Sequence, residues 1–194
     1  MSAVGASAVG ATSAVRPRRR DPMRSERIIE ACLDVIVAEG VDGLSHRKVA
    51  AAADVPLGSM TYHFAGRDAL LMAAFEKFAR RASERLDAAM ARAASPEEAR
   101  AAIERHVLGV VLIDDREVVL MTELYALAAR DERYKAVTHA WMARSRAALE
   151  RHFDPATARI LDALIEGLAL HRLLDDGSGE GADVARAIAL LSAD

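Results

Sequence analysis

Between Leu44 and Leu70 the chain reads LSHRKVAAAADVPLGSMTYHFAGRDAL, and the polar groups it gathers are hydrogen-bond donors. Ser45 opens a short helical stretch, where free N–H groups and the helix dipole favour an anion. His46 and Arg47 follow it, and a planar guanidinium matches the O6 and N7 acceptors of guanine in a major groove. Gly58, Ser59 and Thr61 are compact and hydrogen-bonding, and Leu57 offers apolar contact to a thymine methyl. Tyr62 and His63 present donors just beyond them, and Arg67 begins the next helix within reach of a phosphate backbone. This is chemistry for reading a polyanion without covalent change. Each group also has a plainer use: Arg47 touching backbone only, Tyr62 and His63 packing against the following helix.

Elsewhere the chemistry is sparse. His106, His139 and His152 are scattered, and no His/Glu spacing repeats a metal-binding pattern. There is no phosphate-cradling glycine loop and no nucleophile paired with a base at recognisable spacing. No cofactor, metal or catalytic residue is expected.

The elements that must position the polar groups are helices. Ala, Leu, Arg and Glu are prominent and aromatics make up only 4%, a mix that loses little rotamer freedom on a helix. No window alternates convincingly enough for a strand. Asp21-Pro22 starts a first helix whose stripe runs through Ile28, Cys32, Val35 and Ile36 and stops at Gly40. Ser45 caps a second, HRKVAAAA, interrupted by Asp54-Val55-Pro56. The segment LGSMTYHF follows, with Met60 and Phe64 four apart as anchors to the core. Two short helices joined by a tight turn on a longer first helix make a helix-turn-helix unit.

A fourth helix runs from Arg67 to about Ala94, a fifth from Pro96 to Ile113, and a sixth from Asp114-Asp115 to about Arg130. The seventh spans about Glu132 to Phe153, the eighth Asp154-Pro155 to about Asp175, and a ninth Ala182 to Leu191 after the link DDGSGEG. About nine helices give an all-α fold: a three-helix head over residues 22–66 and a helical body over 67–194, preceded by a flexible tail, 1–21. That tail is Ala/Ser/Arg-rich and acid-free before Asp21, so a transit peptide is its alternative reading. Arg18, Arg19 and Arg20 could enter a minor groove as an arm or stand as a solvated charge run.

Charge separates head from body. The chain carries a net −3, yet Arg16 to Arg67 holds nine basic and seven acidic residues. A basic head on an acidic body suits one nucleic-acid face. One cysteine excludes an intrachain disulfide and points to a reducing, cytoplasmic setting. No apolar run approaches the roughly 18 residues of a membrane span.

Arg27 to Gly40, Ser45 to Ala53, Asp54-Val55, Gly58 to Phe64 and Arg67-Asp68 together resemble the TetR family of transcriptional regulators over about 45 residues. Two positions depart from the family pattern. Asp54 stands at the usual turn glycine, and Thr61 replaces a common tyrosine, leaving Tyr62 as the aromatic phosphate candidate. The resemblance implies a homodimer on palindromic operator DNA, a repressor by family habit, released when a small molecule of unknown identity enters the body. Candidate lining residues are Phe75, Phe78, His106, Met121, Tyr125, Trp141, Met142 and Ser145. The eighth helix is apolar around most of its circumference, which demands cover on more than one side. Ile160, Leu161, Leu164, Leu168 and His171, with Val184, Ile188 and Leu191 of the ninth helix, are therefore candidates for the dimer face. A monomeric bundle with a central helix is the alternative there. For the whole chain the alternatives are an interaction bundle without DNA binding and an all-α enzyme, separated by whether the purified protein binds DNA or turns over a substrate.

Overall fold

The computed structural model describes residues 22–111, 115–174 and 181–192. Among them there is no strand. The helices are α1 (Pro22–Glu39), α2 (His46–Ala52), α3 (Leu57–His63), α4 (Arg67–Arg92), α5 (Pro96–His106), α6 (Asp115–Ala128), α7 (Glu132–Leu149), α8 (Pro155–Leu174) and α9 (Gly181–Leu191). The basic run Arg18–Arg20 and most of the DDGSGEG link lie outside the described residues.

The helix boundaries follow local chemistry. Gly40 takes a left-handed φ of 71° after α1 and returns its N–H to the Ile36 carbonyl at 2.8 Å. Ser45 caps α2, its hydroxyl accepting from the Lys48 N–H at 3.3 Å. A capping box opens α5: Ser95 accepts from the Glu98 N–H, and the Glu98 carboxylate accepts from the Ala94 N–H at 2.8 Å. Asp131 and Asp154 accept from the first-turn N–H groups of α7 and α8. The turn between α2 and α3 takes Asp54 to a φ of 51°, the left-handed conformation that a short polar side chain tolerates better than most.

Two helices stop earlier than the apolar spacing predicts. The α-type ladder of α5 ends at His106 and gives way to a π-helical turn, Val107–Val111. Gly109 and three β-branched valines weaken regular α geometry there. Helix α7 ends at Leu149, and a turn carries the chain through Phe153 to Asp154, whose position before Pro155 disfavours helical backbone.

Side chains pack into two cores. The first runs without a break from the head into the body: Ile28, Cys32, Ile36, Val49, Met60, Leu70, Phe75, Phe78, Leu124, Tyr134 and Trp141 belong to it. The second gathers Leu86, Met90, Ile103, Val107, Leu149, Leu161, Ile165, Val184 and Ile188 at the far end. This placement corrects part of the expected dimer face. Leu161, Val184 and Ile188 are buried inside the chain's own second core, because α9 folds back against α5 and α8. Leu164, Leu168 and Leu191 are half-buried at that core's edge, whereas Ile160 and His171 face outward.

Ion pairs join head and body across the first core. Lys77 of α4 bridges Glu26 and Glu30 of α1, and Arg81 reaches Glu30 at 2.6 Å. Arg116, near the start of α6, pairs with Asp34 and Glu30. Desolvation raises the Glu30 carboxyl, but Lys77, Arg81 and Arg116 outweigh it and hold the group below the ordinary carboxylate range. The lone thiol, Cys32, is fully buried in this core, and burial pushes its ionisation up to about 12.

Candidate nucleic-acid interface and interior cavity

Helix α3 presents one face inward and the other outward. Met60 is fully buried and Phe64 nearly so, and together they seat the helix on the head's core. Leu57, at the start of the helix, and Tyr62 are nonetheless 53% and 69% exposed, an unusual placing for large apolar side chains. Gly58 lies between them, and a Cβ placed there would meet nothing within 4 Å. Thr61 is exposed and donates to the Gly58 carbonyl at 3.3 Å, and Ser59 is half-buried. The Tyr62 and His63 rings meet edge-on at 5.1 Å. On α2, Arg47 is exposed with no partner among the described residues, so its fork is available.

The neighbouring polar residues have intramolecular tasks. Arg67 does not stand free as a phosphate contact: its guanidinium donates to the Leu44 carbonyl at 3.2 Å and the Val41 carbonyl at 2.5 Å. It thereby clamps the start of α4 to the loop ahead of α2. Lys48 is held by Glu39 and the Gly43 carbonyl. Gly43 is required at that turn, since a Cβ there would lie 2.6 Å from the Glu39 backbone. The Ser45 hydroxyl is occupied as a cap, and His46 Nε2 is buried without a partner.

A cavity opens where the two cores fail to meet. Phe78, Met121, Trp141 and Ala169 border it from the first core, Leu86 and Ile165 from the second. Its volume is about 80 Å³ for the centre of a water-sized sphere. Phe78 and Trp141 pack edge-to-face at 5.3 Å, and the Tyr125 ring lies 5.9 Å from Trp141. Of the expected lining, Phe78, His106, Met121, Trp141 and Ser145 form the wall. Phe75 is instead sealed in the core against Tyr134, Tyr125 packs against Trp141 without lining the cavity, and Met142, one position past Trp141 on α7, is half-buried off the wall.

The wall also carries charge that helical spacing does not reveal. Arg85 of α4 pairs with Glu117 of α6, and Arg146 of α7 pairs with Asp162 of α8 at 2.9 Å. Burial raises the Asp162 carboxyl against the pull of Arg146. Glu166, one turn along α8, is raised to about 6, mainly by burial. Burial lowers His106 to about 4, with Arg85 adding to the effect, so its imidazole is neutral. The Tyr125 hydroxyl is buried beside Glu166 with no hydrogen-bond partner at bonding distance. Arg85 and His106 also line a second, open groove of about 580 Å³ between α4 and α5, together with Arg92 and Arg105. The signal for the charged wall was present in the sequence: Asp162 and Glu166 interrupt the otherwise apolar girdle of α8.

This arrangement of head and cavity has close counterparts. Residues 28–74 match the family described as bacterial regulatory proteins, tetR family, and residues 101–193 match the tetracyclin repressor-like C-terminal domain. A TetR-family member of Streptomyces coelicolor A3 is 36% identical with a TM-score of 0.72, covering 89% of this chain and 100% of that one. The chain belongs to the TetR family of transcriptional regulators. A second transcriptional regulator, from Streptomyces coelicolor A3(2), is 48% identical at a TM-score of 0.81, over 89% of this chain and all of that one. The multidrug binding protein EbrR, solved with imidazole, is 36% identical at 0.75, over 96% of this chain and 98% of that one. It has also been solved with proflavin, ethidium and malachite green. An HTH-type transcriptional regulator of Xanthobacter autotrophicus is 36% identical over 58 residues, a match spanning 29% of that protein's length. In this TetR-family chain α2 and α3 form the helix-turn-helix, and α4 and α6 both pack against α1 and contribute to the cavity wall.

Proposed function

We propose that this regulator is a cytoplasmic homodimeric repressor that holds a palindromic operator through α3 and releases it when a small molecule fills the cavity. The observation that carries the reading is the outer face of α3, where Leu57, Gly58 and Tyr62 stand clear of a helix whose other face is locked in the core. A recognition helix needs that combination, since base edges are read by side chains held rigidly at groove depth. Arg47 joins it as a base-edge or backbone donor, with Thr61, Ser59 and His63 around it, and the outward residues Ile160, Leu164, Leu168 and His171 of α8 provide the mating face. EbrR's binding of several compounds supports a ligand-responsive body. Small-molecule release then follows from a ligand's preference for the conformer in which the two heads are wrongly spaced.

The test is selection of genomic fragments by the purified full-length protein, followed by fluorescence anisotropy on the recovered site. Recovery of an inverted repeat with half-sites about one helical turn or a multiple apart is the expected result. Arg47→Ala should cost about 1–3 kcal/mol and relax preference at one base position if its contact is bidentate. Recovery of no enriched sequence would sink the operator reading. Sedimentation of Leu168→Arg should show monomers, and a persisting dimer would place the interface elsewhere.

A further inference from the structure

The open groove between α4 and α5 is built from two matching stripes. Arg85, Ala88, Ala89 and Arg92 recur at helical spacing along one face of α4. Ala101, Ala102 and Arg105 do the same on α5. Only methyl groups stand between the arginines, so the two helices leave an open space of about 580 Å³. Charge in the groove runs against its surroundings. Beyond Arg67 acidic residues outnumber basic ones, yet the groove is lined by three guanidiniums and a single carboxylate, Glu98. Glu98 is committed to the Ala94 N–H in the capping box of α5. Arg92 and Arg105 are exposed and have no ion-pair partner among the described residues. Arg85 reaches Glu117 through Nη2, while its Nε is buried without a hydrogen-bond partner. The neutral His106 ring adds no charge. A basic residue in a last helical turn suits the helix dipole. That accounts for Arg92 and Arg105 one at a time, but not for the empty space they share. Operator DNA does not supply the missing anion, since Arg85 lies about 27 Å along α4 from its first residue, Arg67.

We propose that this groove binds an amphipathic carboxylate, its acid group held by Arg105 and Arg85 and its apolar body laid along the alanine floor. A free guanidinium fork matches a carboxylate in bidentate geometry, and such charge-assisted bonds are about twice as strong as neutral ones. Arg92, two turns from Arg85, covers the apolar body with its methylene stem and keeps its charged head in water. A cation would meet the excess of guanidiniums, and an uncharged ligand would gain only the alanine contacts. The site is distinct from the interior cavity, because Arg92, Ala101 and Arg105 line the groove and not the cavity. The inference is therefore independent of the effector reading of that cavity.

The experiment titrates the full-length protein at about pH 7.5 with dansylaminoundecanoic acid, a fluorescent carboxylate, and separately with its uncharged methyl ester. Dansyl emission should report an affinity for the acid about ten-fold or more above that for the ester. Arg105→Ala should erase most of that preference. Arg130→Ala removes an exposed guanidinium outside the groove and should leave the acid's affinity within about two-fold of wild type. Ala101→Phe fills the groove with a ring and should weaken acid and ester alike. Far-UV circular dichroism checks that each variant is folded. Equal affinities for acid and ester in the wild type, binding of neither, a preference that survives Arg105→Ala, or an Ala101→Phe variant that binds as tightly as wild type would each overturn the proposal.

Discussion

The two cores of the chain are built from the same residue types but do different work. The first is continuous from Ile28 in α1 to Trp141 in α7, so the head has no core of its own that ends before the body begins. The second, around Ile103, Leu149 and Leu161, is confined to the distal end and closed by α9. The cavity lies on the seam between them. A molecule wedged there presses on one side against packing that extends to α3, and on the other against packing that does not. Interiors at native density transmit such displacement poorly by compression and well by shifts of whole elements. A continuous core therefore makes α4 and α6 the elements through which the seam reaches the head.

Opening the first core has the largest effect. Phe75→Ala removes a fully buried ring at the junction of head and body and should cost about 3–5 kcal/mol. Urea unfolding followed by Trp141 fluorescence and by circular dichroism should still give one coincident transition, shifted to lower denaturant. Two separated transitions would show that head and body unfold independently and that the core's continuity carries no coupling.

The seam itself is sharpened by pH. Burial raises Glu166 to about 6 from an ordinary 4.5, so the folded protein resists its ionisation. The stability tied to its neutral form is present below about pH 4.5 and lost as pH rises through 6. Glu166→Gln should thus match wild type near pH 4.5 and exceed it by about 2 kcal/mol above pH 7. His106 runs the other way. Held to about 4 from 6.5, it costs stability as pH falls between those values, but it is common to both proteins and cancels in the difference. A pH-independent difference between variant and wild type would mean that Glu166 is solvated in solution.

The smallest effect belongs to the surface tie. Arg116→Ala removes the bridge from α6 to Asp34 and Glu30, a partly exposed pair worth about 0.2–1 kcal/mol. The loss should shrink in high salt, as screening weakens the wild-type contact too. Identical melting curves at low salt would show the tie to be energetically silent.

How much of this could be read from the residues differs between the same two regions. The head was legible because small, aromatic, capping and charged positions coincide within a short stretch, and even Asp54 in its left-handed turn was foreseeable. The seam was not. Phe75 and Phe78 lie one turn apart on the same face of α4, yet one is sealed against Tyr134 and the other borders the cavity. Periodicity gives the facing of a helix but not the distance to the opposing side chain. Leu161 and Leu164 on α8 raise the same difficulty, since both belong to one wide girdle and only the return of α9 decides which is enclosed. Arg85, Glu117, Asp162 and Glu166 escaped because a charged residue on a helix normally marks the solvent side.

Cys32 has a practical consequence. Thiol reagents attack the thiolate, and a sulfhydryl sealed in the head and ionising only near 12 offers almost none at neutral pH. The folded wild type is therefore a clean background for labelling. Ser59→Cys can take a spin label or a dye, and in the proposed homodimer the separation of two such labels would measure the head-to-head distance directly.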